Sequence, residues 1–271
     1  MSAAMTNVVA PTPVGPMLRD WRRRRRLSQL DLALEAGVSA RHVSFVETGR
    51  ARPSAEMVLH LARELEVPLR ERNRLLLAAG YAPTFEQRDL DDPEMAPVRQ
   101  ALQRILDAHD PYPAVVIDGA WELIASNRAV ALLTEGVAPE LLEAPANVLR
   151  LSLHPDGMAP RIANLGEWRA HLLERLARQV ALTGDSALKN LLDELHGYPA
   201  PDPGALSGSS GTASEIAVSL RLRSDAGELA FISTVATFGT AVEITASELS
   251  IESFFPADQA TADAVSSYID G

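Results

Sequence analysis

The chain has no cysteine among its 271 residues. That excludes disulfides, cysteine-ligated zinc and a thiol nucleophile, and it leaves no reason to invoke an oxidising compartment. No window of 18 or more apolar residues occurs, so no segment is expected to span a membrane. The first 18 residues carry no charged side chain. They also lack a basic start, a continuous apolar run and a convincing cleavage site, and with Pro11, Pro13 and Pro16 residues 1–16 read as a disordered leader. The cytoplasm is the default location. The six histidines (His42, His60, His109, His154, His171, His196) are scattered without metal-binding spacing. No Gly-rich phosphate loop is present, and His154-Pro155-Asp156 resembles a catalytic pairing only superficially, with no serine or cysteine signature beside it. No catalytic residue, metal or cofactor is therefore expected.

What is present is a sharp division of charge. Residues 1–90 carry a net +4 and residues 91–271 a net −15, within a total of −11. A basic module joined to an acidic one fits contact with DNA through the first part only, because phosphates repel the second. The length suits two domains.

Between Leu27 and Pro53 the chain spells a helix, a glycine-bearing turn and a second helix with a polar face, the device that lays side chains into a major groove. Ser28 caps a helix starting at Gln29, with Asp31 standing in for the usual glutamate of a capping box. Leu32, Ala33 and Ala36 fall on one face, and Gly37 supplies the positive φ of the turn. Ser39 caps the second helix, whose buried face is Val43 and Val46 with Val38 entering from the turn. Ser54 caps a further helix carrying Met57, Val58, Leu61 and Leu65. A last one, Arg70 to Ala79, offers Leu75, Leu76 and Leu77 to the core before Gly80 closes it. The arginines of Arg22 to Arg26 point all around a helix axis and cannot form one face.

From Leu18 to Pro83 this pattern resembles the Xre/Cro/repressor class of helix-turn-helix proteins. The resemblance implies an all-α, lambda-repressor-like domain at 17–83 that binds a double-stranded DNA operator as a homodimer. It places DNA-contacting positions at Gln29, Ser39, Ala40, Arg41, His42, Ser44 and Phe45. Arg41 is the best reader, since a guanidinium grips guanine N7 and O6 bidentately; Phe45 reads equally well as a packing residue. Glu47 to Pro53 resembles the turn that follows the recognition helix, with Arg50 and Arg52 beside the phosphate backbone. The class also implies an ion pair between Arg22 and Glu47.

Beyond a polar, acidic linker at 84–95, the chain reads as a helix (about Val98 to His109), two short strands (Ala114 to Ile117, Glu122 to Ser126), and a helical stretch from Asn127 to Leu133. Stronger helices follow at Glu167 to Leu182 and Ser186 to Leu195, then a flexible loop from Pro199 to Gly211. Alternation over Ile216 to Leu222 and Leu229 to Thr237 marks a hairpin, and Ala241 to Thr245 a fifth strand. That is an α+β arrangement with helices on one face of an antiparallel sheet.

Six blocks in order resemble the MmyB-like transcription regulators: Tyr112-Pro113-Ala114, Asn127-Arg128-Ala129, Asn147 to Leu151, His154 to Gly157, Asn164 to Arg169, and Glu252 to Asp258. The resemblance implies a PAS-like ligand-binding domain at 96–271 for a small apolar ligand such as a fatty acid. Candidate ligand contacts are Asn127, Arg150, His154, Arg161, Asn164, Trp168 and Arg169, because a carboxylate head group wants a guanidinium. Each has a plainer alternative: Asn127 and Asn164 as helix caps, Asp156-Gly157 as a turn, Arg169 in a surface ion pair. A domain that binds a protein partner, or dimerises without a ligand, is the competing function.

Overall fold

The structure is a computed structural model that describes residues 13–199, 218–225 and 227–270. The chain divides into two compact units, one up to Gln87 together with Val242–Ile244, the other comprising the remainder.

Five helices build the first unit: α1 (Val14–Arg24), α2 (Gln29–Glu35), α3 (Ala40–Glu47), α4 (Ala55–Glu64) and α5 (Leu69–Ala78). Ser28, Ser39 and Ser54 each accept a backbone N–H three residues on, from Asp31, His42 and Met57. Asp31 closes a full capping box by accepting the Ser28 N–H at 2.8 Å. Gly37 adopts φ +61° between α2 and α3, where a β-carbon would be strained. Leu18, Trp21, Leu32, Val43, Val46, Leu61, Leu75 and Leu76 share one core.

Two expectations change here. Helix α1 starts at Val14, so residues 14–16 are helical and not leader, while residues 1–12 lie outside the described residues; Val14 and Gly15 are buried, and Pro16 sits in the first turn where its missing N–H costs nothing. A β-carbon on Gly15 would lie 2.5 Å from the Val46 carbonyl oxygen, so α1 and α3 meet there backbone to backbone. Leu77 is 58% exposed rather than in the core, because one helical step turns it about 100° away from Leu76.

After a 3₁₀ turn at Pro93–Met95, the second unit contains α6 (Ala96–His109), β1 (Ala114–Ile117), β2 (Leu123–Ser126), α7 (Val130–Thr134), α8 (Pro139–Leu142), α9 (Val148–Leu153), α10 (Leu165–Thr183), α11 (Ser186–His196), β3 (Leu220–Ser224), β4 (Gly227–Thr237), α12 (Ile244–Glu248), β5 (Ser250–Pro256) and α13 (Gln259–Asp270). The strands form one antiparallel sheet in the order β2-β1-β5-β4-β3.

The fifth strand is therefore Ser250–Pro256 and not Ala241 to Thr245, which bends into α12. Its buried Glu252 interrupts the apolar alternation that would mark a central strand. Helices also are not confined to one face, since α6 covers the second face at β1 while Ile232 and Phe255 stay about 40% exposed. All four residues of β1 are buried, with Val115 and Ile117 facing the main core and Ala114 and Val116 facing α6 through Leu102 and Leu106.

The segment read as a linker is held at both ends. Asn73 grips Thr84 and Phe85 by three hydrogen bonds. Arg99 donates to the carbonyls of Leu90 and Asp92, and Met95 is buried. The expected loop from Pro199 to Gly211 lies outside the described residues from position 200 onward.

Candidate DNA interface and ligand cavity

Ser39 and Gly37 set where α3 begins, and Val43 and Val46 decide which side of it faces inward. The opposite side carries Arg41, Ser44 and Phe45. Phe45 is half-buried and flanked by two guanidinium groups, Arg41 at 5.1 Å and Arg50 at 5.9 Å from its ring centroid. Both arginines are exposed, and among the described residues neither pairs with an acid. Ala40 and His42 are half-buried, and the His42 Nε2 has no hydrogen-bond partner among the described residues. Two other expected contacts are engaged inside the unit. Gln29 donates to Glu47 Oε2 at 2.7 Å, and Arg52 donates to the Ala79 carbonyl at 3.2 Å while lying over Tyr81.

Behind α3, Arg22 grips Glu47 with two hydrogen bonds, Nε to Oε1 at 2.7 Å and Nη2 to Oε2 at 2.8 Å. Burial pushes the Glu47 carboxyl up. The bonds from Arg22 and Gln29 and the charges of Arg22 and Arg19 outweigh it and hold the group below the ordinary carboxylate value. The pair ties α1 to the end of α3 and so fixes the pitch of that helix.

In the second unit a cavity of about 70 Å³ opens between the sheet and α7, α9 and α10. Its wall is apolar, built from residues such as Val115, Leu123, Leu133, Leu149, Met158, Leu172, Leu220 and Phe254, with Trp121 and Trp168 as the two aromatic panels. Among the described residues only Thr134, Ser152 and Glu252 interrupt it with polar side chains. Ser152 Oγ accepts the Trp168 indole N–H at 2.9 Å. Glu252, 5% exposed, accepts on both carboxylate oxygens from Arg175 Nη1 at 3.3 and 3.2 Å. Arg175 in turn lies 4.8 Å over the Trp121 ring.

A family model described as the MmyB-like transcription regulator ligand binding domain matches residues 98–267, and a helix-turn-helix model matches residues 18–72. The chain belongs to the MmyB-like transcription regulators. A Bacillus subtilis (strain 168) protein described as the uncharacterized HTH-type transcriptional regulator RghRB is 30% identical over 113 residues, 41% of this chain and 73% of that relative. This MmyB-like regulator is accordingly a DNA-binding transcriptional regulator with a ligand-binding domain, in a family of regulators and not of enzymes. No helix among the described residues is long and apolar enough to cross a membrane.

Of the seven ligand contacts expected from the regulator's sequence, only Trp168 lines the cavity. Asn127 is a buried junction, accepting from the Ala114 N–H and donating to Tyr112 O and Asp110 Oδ1. Arg150 forms a bidentate pair with Glu194 at 2.8 and 2.7 Å. The His154 ring meets Tyr198 edge-on at 5.1 Å. Arg161 donates to the carbonyls of Leu132, Leu133 and Glu135, capping the end of α7. Asn164 does not cap α10 through its side chain; it bridges Ser219 and Arg221 at the start of β3. Arg169 donates to the carbonyls of Leu195, His196 and Tyr198, closing α11, so its surface ion pair is not formed. Sequence reading missed Glu252, Ser152 and Trp121. The lone acid in the strand-like stretch Ile251 to Phe255 was the available signal for the first.

Proposed function

We propose that the protein is a one-component, sequence-specific regulator in the cytoplasm, reading a DNA operator through α3 and sensing a small apolar effector in the cavity of its second unit. The observation that carries it is the conjunction, in one chain, of an exposed Arg41-Phe45-Arg50 face on a helix-turn-helix with a buried apolar cavity in the ligand-binding domain. The reading head runs from α1, which begins at Val14, to 83, residues 84–95 connect, and 96–271 form a PAS-like sensor, a reading in keeping with the five-strand sheet whose central β5 closes both hairpins. Arg41, His42 and Ser44 read bases, with Ser39 and Ala40 at the helix start; Arg50, and more weakly Arg52, meet phosphate. One recognition helix touches only a few bases, so the regulator acts as a homodimer on half-sites about one helical turn apart.

Of the fatty-acid form of this reading only the acyl-chain half is supported, by the apolar wall. The hydrogen bonds of Arg150, Arg161 and Arg169 to Glu194 and to helix-end carbonyls do not support a head group held by those arginines. At about 70 Å³ the cavity is well below the roughly 300–1,000 Å³ of pockets that take drug-sized ligands. A long chain would have to displace the short helices α7 and α9, and an effector that favours the displaced wall shifts the population of the two arrangements. Native mass spectrometry of the purified full-length protein, followed by lipid extraction, tests the sensing role; a co-purifying apolar compound is the expected result, and a rigid, fully packed second unit that binds none would sink it. Footprinting tests the reading head, where protection of a single non-repeated half-site by monomer would end the dimer reading.

A further inference from the structure

Resting on the reading that the cavity is the effector site, we infer that it takes an apolar molecule with a hydrogen-bond-donating head, a hydroxyl or an amine, seated against Glu252, and that it rejects a free carboxylate. Among the described residues no arginine, lysine or histidine lines the cavity, whereas a carboxylate does. Glu252 is on the central strand β5, opposite Val115 of β1 and Val235 of β4, with its side chain turned to the cavity.

A carboxylate offers about four acceptor positions. The one hydrogen-bond donor to the Glu252 side chain among the described residues, Arg175 Nη1, straddles both oxygens at 3.2–3.3 Å, longer than the roughly 2.7–2.9 Å of a well-formed ionic hydrogen bond, and His171 lies near enough to feel the carboxylate's charge. Acceptor capacity is therefore left over on an apolar wall. Arg175 is held where it is by stacking on Trp121, and its charge is already matched. Trp121 is held in turn, its indole donating to Gln179 Oε1 at 2.7 Å and Gln179 donating to Gly119 O at 2.8 Å. The acceptor is thus preorganised. A hydroxyl or ammonium head gains a charge-assisted hydrogen bond there, while a carboxylate head would be desolvated against a like charge with no counter-ion on the wall.

The test titrates the full-length protein with three probes of equal chain length, 1-octanol, octylamine and octanoate, followed by the change in tryptophan fluorescence, to which Trp121 and Trp168 contribute from the cavity wall over a constant background from Trp21, and by thermal shift. The donor-headed probes are expected to bind at least about tenfold more tightly than octanoate, the scale of one charge-assisted hydrogen bond. Glu252→Gln is expected to shrink that ratio to within about threefold. Octanoate binding the wild-type protein as tightly as the other two, or an unchanged ranking in Glu252→Gln, overturns the proposal and leaves the cavity as an effector site. Silence from all three probes overturns the effector-site reading and the proposal with it. The wild-type ranking decides the matter by itself if the variant does not fold.

Discussion

Arginines do opposite work in the two units. On α3 and the turn after it, Arg41 and Arg50 stand in solvent on either side of Phe45. In the second unit Arg150 and Arg161 spend their donors on Glu194 and on the carbonyls that end α7, and Arg169 turns Nη2 to the carbonyls that end α11 while its buried Nε has no partner among the described residues. A guanidinium carries five donors in a fixed fork, and what it does depends on whether the fold supplies acceptors within reach. Where helix ends and a glutamate supply them, arginine is a structural clasp. Where the nearest surface is an aromatic ring, the donors remain available for a base edge or a phosphate. The contrast also cuts within the first unit, since Arg22 is a clasp and Arg41 is not.

The largest effect should come from breaking the clasp that supports the reading helix. Glu47→Ala strands Arg22, which is 8% exposed, and should destabilise the first unit by about 3–5 kcal/mol, seen as an early helical transition in chemical denaturation. A first unit as stable as wild type would mean the pair is dispensable. The same carboxyl predicts acid sensitivity. Its folded pKa is depressed, so its contribution is present above the unfolded value of 4.5 and is lost as pH falls through the lower folded value. A denaturation series stepped downward from pH 5 should show that loss in wild type and not in Glu47→Ala.

Next, Arg169→Ala removes the donor that closes α11 and should cost the second unit about 1–3 kcal/mol while leaving probe binding in the cavity unchanged. Loss of probe binding without loss of stability would return this arginine to the ligand site and break the comparison. In the first unit, Arg41→Ala should remove about 1–3 kcal/mol of discrimination between operator and random DNA. Arg50→Ala should instead weaken binding to every sequence and lower the salt slope by about one. Arg52→Ala should change that slope less, because its donor already serves Ala79. Equal losses on operator and random DNA for Arg41→Ala would remove its base-reading role.

The smallest effect is expected at Arg150. Its pair with Glu194 is open to solvent, at 43% and 37% side-chain exposure, so Arg150→Ala should alter stability by no more than about 1 kcal/mol despite the bidentate geometry. A melting shift much larger than that would show that Tyr198, which donates to Glu194 at 2.6 Å, makes the three a coupled cluster.

Local chemistry was legible from the chain alone. Serine caps, the positive-φ Gly37, the alternation of β4 and the 3.6-residue spacing of α2 to α5 depend on neighbours within a turn or two, so sequence order determines them. The Arg22–Glu47 clasp and the family were also there to be read, through motifs. What sequence order does not carry is which distant acceptor meets which donor. Whether Arg161 finds a ligand or the end of α7, whether β5 starts at 241 or 250, and whether Glu252 faces a cavity are settled by contacts across tens of residues. The basic and acidic halves announced a DNA-contacting part and a second domain; only the packed sheet put a carboxylate, and not an arginine, on the cavity wall, because the pairing of β5 with β1 places Glu252 opposite Val115 on the side of the sheet that faces the main core.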